Sequence, residues 1–233
     1  MASKTFTVMV SQGLTEAGVA SSQLAAVKEM VKDWLRSTYA GFLWPFLRRE
    51  KLAIALGSGV SYLEFGMGSG SITEEIQRIN DPIKIYDSEY RTRENIRITT
   101  DWSNDLDSDS DLIDPTSNTG LPTKARVVPD ATLRGKWKVV FNYVADRAYL
   151  LKMSYHVIPN APADGDYPIY PNDATIVQAA NCAALKHMKR MDEYREDLKI
   201  LVSKVREDRV KYCEAPGIND MIGNFGLDSR TFK

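Results

Sequence analysis

The sequence contains little of what most enzymes, metalloproteins and disulfide-linked proteins display. Its 233 residues include only two cysteines and two histidines, which are Cys182, Cys213, His156 and His187. Neither cysteine lies in a CxxC or other metal-ligand spacing, and no sequence feature pairs either histidine with a nucleophile or a second ligand. The two cysteines fit a reducing cytoplasm, and both histidines are predicted to be structural.

Catalytic motifs and long apolar segments are also absent. The sequence contains no GxxxxGK[ST], HExxH or GxSxG motif, so common routes of phosphoryl transfer and hydrolysis lack their usual residues. No apolar stretch approaches membrane-spanning length, and the run from Phe6 to Val10 is too short for a signal-peptide core. The sequence therefore predicts a protein that is not an enzyme, uses no cofactor and is neither exported nor inserted into a membrane.

Neither sign of charge is in excess. Thirty basic and 31 acidic residues give a formal net charge of -1, so no overall field draws the chain onto nucleic acid or an anionic membrane. Binding to either would require a local patch. Arg48, Arg49 and Lys51 form a small basic cluster, but alternation along a strand places them on different faces, so we interpret them as solvated charge.

Apolar periodicity predicts three helices. The first is capped by Ser21-Ser22 and carries an apolar face that includes Leu24, Val27, Val31, Trp34 and Leu35. The second begins at Asn172-Asp173 and is apolar nearly all round, which is typical of a helix central to a bundle. The third, from Asp192 to Tyr212, has a narrow apolar stripe and charges on every other face, so we expect it to cover the outside of the bundle.

The middle of the chain is predicted to be rich in β-strands. Leu47 to Leu56 and Val60 to Phe65 are predicted to pair as a hairpin through the glycines between them. Val139 to Tyr143 and Tyr149 to Val157 are predicted to form an antiparallel pair.

Capping-box spacing predicts a short helix from Ser71 to Asn80, and two short strands follow at Ile83 to Tyr86 and Ile96 to Thr99. Asp101 to Thr119 is the longest predicted loop. The expected fold is α+β, a helical bundle with an inserted antiparallel β-rich domain and an extended C-terminal tail. The expected divisions are an N-terminal arm and bundle helix (1–46), the β-rich insertion (47–159), the C-terminal bundle helices (160–214) and a docking tail (215–233).

A proline-punctuated segment connects the last predicted strand to the C-terminal helices. Its markers are Gly120-Leu121-Pro122, the strand region from Val139 to Pro159, and Tyr167-Pro168-Ile169-Tyr170-Pro171-Asn172-Asp173. This layout resembles the head-to-tail adaptor (connector) proteins of tailed bacteriophages, and the resemblance covers most of the chain. It consists of the order of elements and of scattered aromatic and proline positions.

The resemblance implies a non-enzymatic virion protein at the head-tail junction, made in the cytoplasm of the bacterial host. Its copies would form a ring, dodecameric in that family, that binds the portal protein and offers a platform to a tail or nozzle protein. Double-stranded DNA would pass through the channel of this ring without sequence-specific contact, and no membrane would be involved.

Four aspartates alternate within the longest predicted loop, at Asp105, Asp107, Asp109 and Asp111. Calcium loops begin with such spacing, but here Ser110 and Thr116 replace the glycine and the bidentate glutamate that a calcium loop requires at its sixth and twelfth positions. We therefore interpret the segment as an acidic loop. In a ring that conducts DNA it is a candidate channel-facing loop, because its charges repel phosphate.

An alternative function comes from the segment Tyr62 to Gly70, which resembles the first motif of S-adenosylmethionine-dependent methyltransferases. In that family, glycines after a strand let the backbone approach the cofactor, and an acid after the next strand, a place that Asp87 could fill, holds the ribose. Too few β-α alternations follow for a doubly wound domain, so this function is kept only as the alternative.

The C-terminal segment from Ala215 to Lys233 contains proline and glycines that end the preceding helix, yet it is too apolar for a solvated tail. Its apolar residues are Ile218, Met221, Ile222, Phe225, Leu227 and Phe232. Such a segment suits ordering on another protein, and the adaptor resemblance implies that it docks on the portal. A tail packed on its own domain is the other interpretation.

Truncation after Ala215 tests these two interpretations. If the tail docks on the portal, the truncated protein keeps its circular dichroism spectrum and melting temperature but loses binding to the portal protein in a pull-down. Unchanged portal binding would contradict the docking role.

Overall fold

The computed structural model of the chain describes residues 4–68, 74–87, 92–99, 119–130 and 135–212. Within these residues the fold is mixed α+β, as predicted, with four helices and a curled mixed sheet. The chain divides into two compact units, Met1–Phe46 with Ala161–Lys233 and Leu47–Asn160. We call the described residues of the first the helical unit and those of the second the β unit.

The helical unit contains α1 (Phe6–Glu16), α2 (Leu24–Ala40), α3 (Asp173–His187) and α4 (Met191–Tyr212). Helix α3 packs against each of the other three, and its residues are buried on every side. This burial confirms the prediction that α3 is enclosed nearly all round. It also explains why α3 is rich in alanine, whose small side chain allows neighbouring helices to approach closely.

The helix starts follow the sequence prediction only in part. The side chain of Asn172 accepts a hydrogen bond from the backbone N–H of Ala174 at 3.1 Å, so the predicted cap of α3 is confirmed. The predicted serine cap of α2 is wrong, because Ser21–Gln23 form a 3-10 turn and Gln23 occupies the cap position without a side-chain hydrogen bond.

Helix α1 is not among the predicted elements. Its buried residues follow helical spacing and are Phe6, Met9, Val10, Gly13 and Leu14. The helix is short and contains a glycine, so its intrinsic propensity is low and packing must stabilise it. Gly13 is the point of closest approach to α3, since an added Cβ would lie 2.5 Å from Ala180 Cβ and 2.6 Å from the carbonyl oxygen of Val177.

The β unit is built on one seven-stranded sheet and a two-stranded ribbon. The strands are β1 (Arg48–Leu56), β2 (Tyr62–Gly66), β3 (Glu75–Asp87), β4 (Thr92–Ile98), β5 (Thr119–Gly120), β6 (Lys124–Pro129), β7 (Lys136–Phe141), β8 (Val144–Ala145) and β9 (Tyr149–Ile158). The large sheet has the order β1-β9-β3-β4-β6-β7-β2, and β5 pairs with β8. Strands β4 and β6 run parallel, so the sheet is mixed and the expected purely antiparallel domain is corrected.

Both predicted strand pairings are wrong. Strands β1 and β2 lie at opposite edges of the sheet, where β1 pairs with β9 and β2 pairs with β7. Strands β7 and β9 also have different partners, since β7 pairs with β6 and β9 with β3. Turn residues show where a strand ends, but burial across the whole sheet selects its partner.

The predicted short helix from Ser71 to Asn80 is also wrong where the structure describes it, because β3 begins at Glu75. A register shift between Ile76 and Arg78 leaves an extra residue in β3. Ile76 and Ile79 are therefore both buried although they are three positions apart in the strand. A bulged strand thus produced a spacing that is typical of a helix.

The curl of the sheet creates the core of the β unit. Alternate residues of β9 are buried from Tyr149 to Val157. Phe65 on β2 packs edge-on against Tyr155 on β9, with ring centroids 5.1 Å apart, although the two strands are far apart in the sheet order. One face of the sheet therefore encloses apolar side chains, and the other faces outward.

Replacement of Gly13 tests the close packing of α1 on α3. Gly13→Ala should lower the free energy of unfolding by roughly 1–3 kcal/mol, the cost of overpacking, despite the better helix propensity of alanine. Urea unfolding followed by tryptophan fluorescence measures this change. Gly165→Ala is the control, because a Cβ added there would meet no other part of the described chain within 4 Å, and its midpoint should not fall; equal effects of the two substitutions would contradict the packing.

Candidate functional site

Both sets of site residues predicted from the sequence lie outside the described residues. These are the apolar tail residues Ile218, Met221, Ile222, Phe225, Leu227 and Phe232, and the acidic loop residues Asp105, Asp107, Asp109 and Asp111. The described part of the chain contains a different polar site, at the end of α4 that precedes the tail in the sequence.

The centre of this site is Asp208, whose side chain is buried at 2% exposure. One carboxylate oxygen, Oδ2, accepts hydrogen bonds from Tyr170 Oη at 3.0 Å and from Thr175 Oγ1 at 2.6 Å. The other, Oδ1, accepts one from Asn172 Nδ2 at 2.6 Å. Burial of a carboxylate is costly unless such donors replace water, and here three of them do. We call these four residues the Asp208 network.

Asn172 links the Asp208 network to the start of α3. Its Oδ1 accepts the capping hydrogen bond from Ala174 N, while its Nδ2 donates to Asp208. The amide cannot be reversed without loss of both hydrogen bonds. The N-terminus of α3 and the last turns of α4 are therefore fixed by one side chain.

Tyr170 connects the network to an aromatic cluster. Its ring lies 5.6 Å from that of Trp44, in an edge-on arrangement, and 5.9 Å from that of Trp34. Tyr39 and Phe46 are each 6.3 Å away by ring centroid. Burial, and then the negative charge of Asp208, raise the pKa of Tyr170 well above its ordinary value, so its hydroxyl remains protonated and can donate.

The network was not predicted, but a signal for it exists in the sequence. The packing stripe of α4 runs through Tyr194, Leu198, Leu201, Val205 and Tyr212. The next position at the same spacing between Val205 and Tyr212 is Asp208. An acid at a position where the helical period requires an apolar residue indicates a buried, hydrogen-bonded carboxylate.

The rest of α4 faces outward. Of its 22 residues, only Leu201 and Asp208 are buried. Surface ion pairs such as Asp192 with Arg195 and Glu196 with Lys199 lie along it, and exposed pairs of this kind stabilise little. The predicted narrow apolar stripe and the exposure of the other faces of this helix are confirmed, and its place on the outside of a bundle stays a prediction.

The segment that resembles a methyltransferase motif has a different setting here. Its strand, β2, is an edge strand that runs antiparallel to β7, and the next described element is the strand β3. Gly66 has φ +130°, and a Cβ there would lie 2.4 Å from the carbonyl oxygen of Gly135, so close backbone packing accounts for this glycine. Asp87 is buried and its Oδ2 lies 3.6 Å from Arg147 Nη1.

Cys182 lies in an apolar cluster, and each of the two histidines lies beside an amide side chain. Cys182 packs with Ala179 and Leu201, and burial raises the pKa of its thiol to about 11, which makes the thiolate scarce. His156 Nδ1 lies 3.1 Å from Asn80 Oδ1, and His187 Nε2 lies 2.9 Å from Gln23 Oε1.

Two absences hold for the described residues. Among them, no helix combines the length and hydropathy needed to cross a membrane. Nor does that part of the chain bring together three or more His, Cys, Asp or Glu side chains that could hold a metal ion.

No protein-family model matches the chain, and no curated protein matches it significantly.

Asp208→Asn tests the network. In this variant an amide nitrogen replaces one carboxylate oxygen and would point at a hydrogen-bond donor instead of accepting from it. Asn172 could rotate its amide to accept from this nitrogen, but it would then lose the capping hydrogen bond from Ala174 N. We expect a loss of about 2–3 kcal/mol in the free energy of unfolding, on the scale of hydrogen bonds to charged groups. Urea unfolding and hydrogen exchange of the last turns of α4 measure it.

Asp192→Asn is the matched control, because this side chain is 99% exposed on the same helix. Its effect should stay within about 0.5 kcal/mol. If the two variants were equally stable and α4 kept its exchange protection, the network would not anchor the helix.

Proposed function

We propose that this chain is a head-to-tail adaptor of a tailed bacteriophage. In this proposal it is a structural virion protein whose copies form a ring that joins the portal to a tail or nozzle protein and continues the DNA channel. The helical unit would be a bundle that packs subunit to subunit, and the β unit an inserted domain that builds the tube wall or the tail-facing surface.

The observation that carries the proposal is the outward face of α4. Besides its charged residues, it exposes Ile200, Val202 and Val210 at 48%, 42% and 61%. A closed ring uses two different faces of each subunit, so a long helix that is half packed and half free fits one of these faces. Charges of both signs with interspersed apolar groups are suited to a specific contact between proteins.

The Asp208 network supports the same function. It holds the last turns of α4, and the hydroxyl of Tyr212 donates to the carbonyl oxygen of Pro171 at 3.4 Å. The predicted docking tail follows this helix in the sequence. A fixed starting point reduces the conformational freedom that a tail loses when it docks on a partner.

Charge introduced on α4 tests the proposed subunit contact. The double variant Val202→Glu, Val210→Glu should remain folded with an unchanged melting temperature, because both side chains are exposed. Its assembly on the portal should weaken by at least tenfold, or about 1.4 kcal/mol. Negative-stain microscopy and mass photometry of mixtures with the portal protein of the same phage measure ring formation.

Val8→Glu is the control. Val8 is 50% exposed on α1, so this variant adds a charge to an exposed position and leaves α4 unchanged. It should assemble as the unmodified protein does. Failure of the unmodified protein to bind the portal would overturn the adaptor proposal, and normal rings from the double variant would exclude α4 as the contact.

A further inference from the structure

The outward face of the large sheet is strongly basic. In β9, Leu151, Met153 and Tyr155 are buried, so the residues between them point to the other side. Directly paired residues share a face, and the registers therefore identify the outward neighbours on each strand. Lys152 is paired with Lys84, while Arg48 and Arg78 are both paired with His156.

The basic face continues across the sheet. Lys84 is paired with Asn95, which places Arg93 and Arg97 on the same side of β4, and Arg97 is paired with Lys124 on β6. Outward positions of β6 and β7 add three more cations. We call the set the basic sheet face; it consists of Arg48, Arg78, Lys84, Arg93, Arg97, Lys124, Arg126, Lys136, Lys138 and Lys152.

The described part of the chain has fewer acids than cations on this face: the same registers place Glu50, Glu64 and Glu75 there, and Asp130 Oδ2 lies 3.7 Å from Lys136 Nζ. Glu50 Oε2 lies 2.8 Å from Lys152 Nζ, and this hydrogen bond, with the nearby positive charges, lowers the pKa of Glu50. Glu64 Oε2 lies 2.5 Å from Lys136 Nζ and forms an ion pair with it. Asp81, at the bulge of β3, accepts a hydrogen bond from the backbone N–H of Ile98.

Several cations form no direct ion pair, although the charge of Lys84 contributes to the lowered pKa of Glu50. Among the described residues, Arg78, Lys84 and Arg97 form no ion pair, and all three are exposed. Aromatic rings support two others, since Arg93 lies 5.9 Å from the ring centroid of Tyr86 and Lys138 lies 4.0 Å from that of Tyr62. His156 adds no charge at neutral pH, because burial and then Arg48 and Arg78 lower its pKa.

The face also has room for an anionic group. A surface cavity of about 510 Å³ opens beside Lys84, Arg93 and Lys152, and Glu94 also lines it. The cations extend over six neighbouring strands, which at about 4.8 Å per strand is a path of roughly 24 Å along the curled sheet. An array of this length matches a continuous polyanion better than a single bound ion.

We propose that the basic sheet face binds the phosphate backbone of double-stranded DNA without reading its sequence. The whole chain has a net charge of -1, so this attraction arises from the segregation of charge to one face. Arginine and lysine contacts to phosphate position DNA but carry no sequence information. The inference builds on the proposed function, since an adaptor ring conducts double-stranded DNA, but binding by the isolated chain does not require a ring.

Fluorescence anisotropy with a labelled 30-base-pair duplex of arbitrary sequence tests the proposal on the full chain. We expect binding at low salt that weakens steeply as salt rises, with a slope of about -0.9 per phosphate contacted. The triple variant Arg78→Gln, Lys84→Gln, Arg97→Gln should reduce that slope by about 2–3 and weaken binding at low salt by at least tenfold. A second duplex sequence should bind equally well.

The control variant removes three charges from the helical unit, with Lys32→Gln, Lys186→Gln and Lys189→Gln. It should bind DNA as the unmodified chain does. An equal loss in both variants would mean that net charge alone acts, and would overturn the proposal. Absence of DNA binding would also overturn the proposal. Binding to poly-glutamate in place of DNA would overturn it too, and would assign the face to an acidic protein.

The same triple variant separates this inference from the adaptor proposal. If the triple variant forms rings on the portal but the unmodified chain does not bind DNA, the DNA-binding inference fails and the adaptor proposal stands. If DNA binds as described but no ring forms on the portal, the adaptor proposal fails and the DNA-binding face stands.

Discussion

The carboxylate of Asp208 is the point where the last turns of α4, the start of α3 and the aromatic cluster around Tyr170 meet. Burial of a charge is permitted there only because three donors surround it, so loss of the network would loosen the end of α4 and the start of α3 together. The rest of α4 contributes little burial of its own. The last turns of the long outer helix therefore depend on this polar contact, while the packing stripe from Tyr194 to Val205 holds the rest of α4 against α3.

The two units place charge in opposite ways. The helical unit buries Asp208 among neutral donors and exposes mixed charge along α4. The β unit buries the apolar face of a curled sheet and carries most of its described cations on the other face. A near-neutral chain thus presents one surface of mixed charge, suited to specific contact with a protein, and one basic surface, suited to a polyanion.

The positions of α2, α3 and α4 could be predicted from the sequence because a cap and a periodic stripe are local signals, as Asn172 and the stripe of α4 show, whereas the short, glycine-containing α1 was missed. Strand partners could not, since they depend on burial across the whole sheet, and the bulge near Ile76 imitated a helical spacing. The basic sheet face was also beyond prediction. Arg48 and Lys84 are 36 residues apart in the sequence, and only the registers bring their strands to one face.

The most direct test of the adaptor account is the copy number of this chain in purified virions, measured by quantitative mass spectrometry against the portal subunit. The account predicts a near-equal ratio, as expected for a ring that sits on the portal. Absence of the chain from the particles would contradict it.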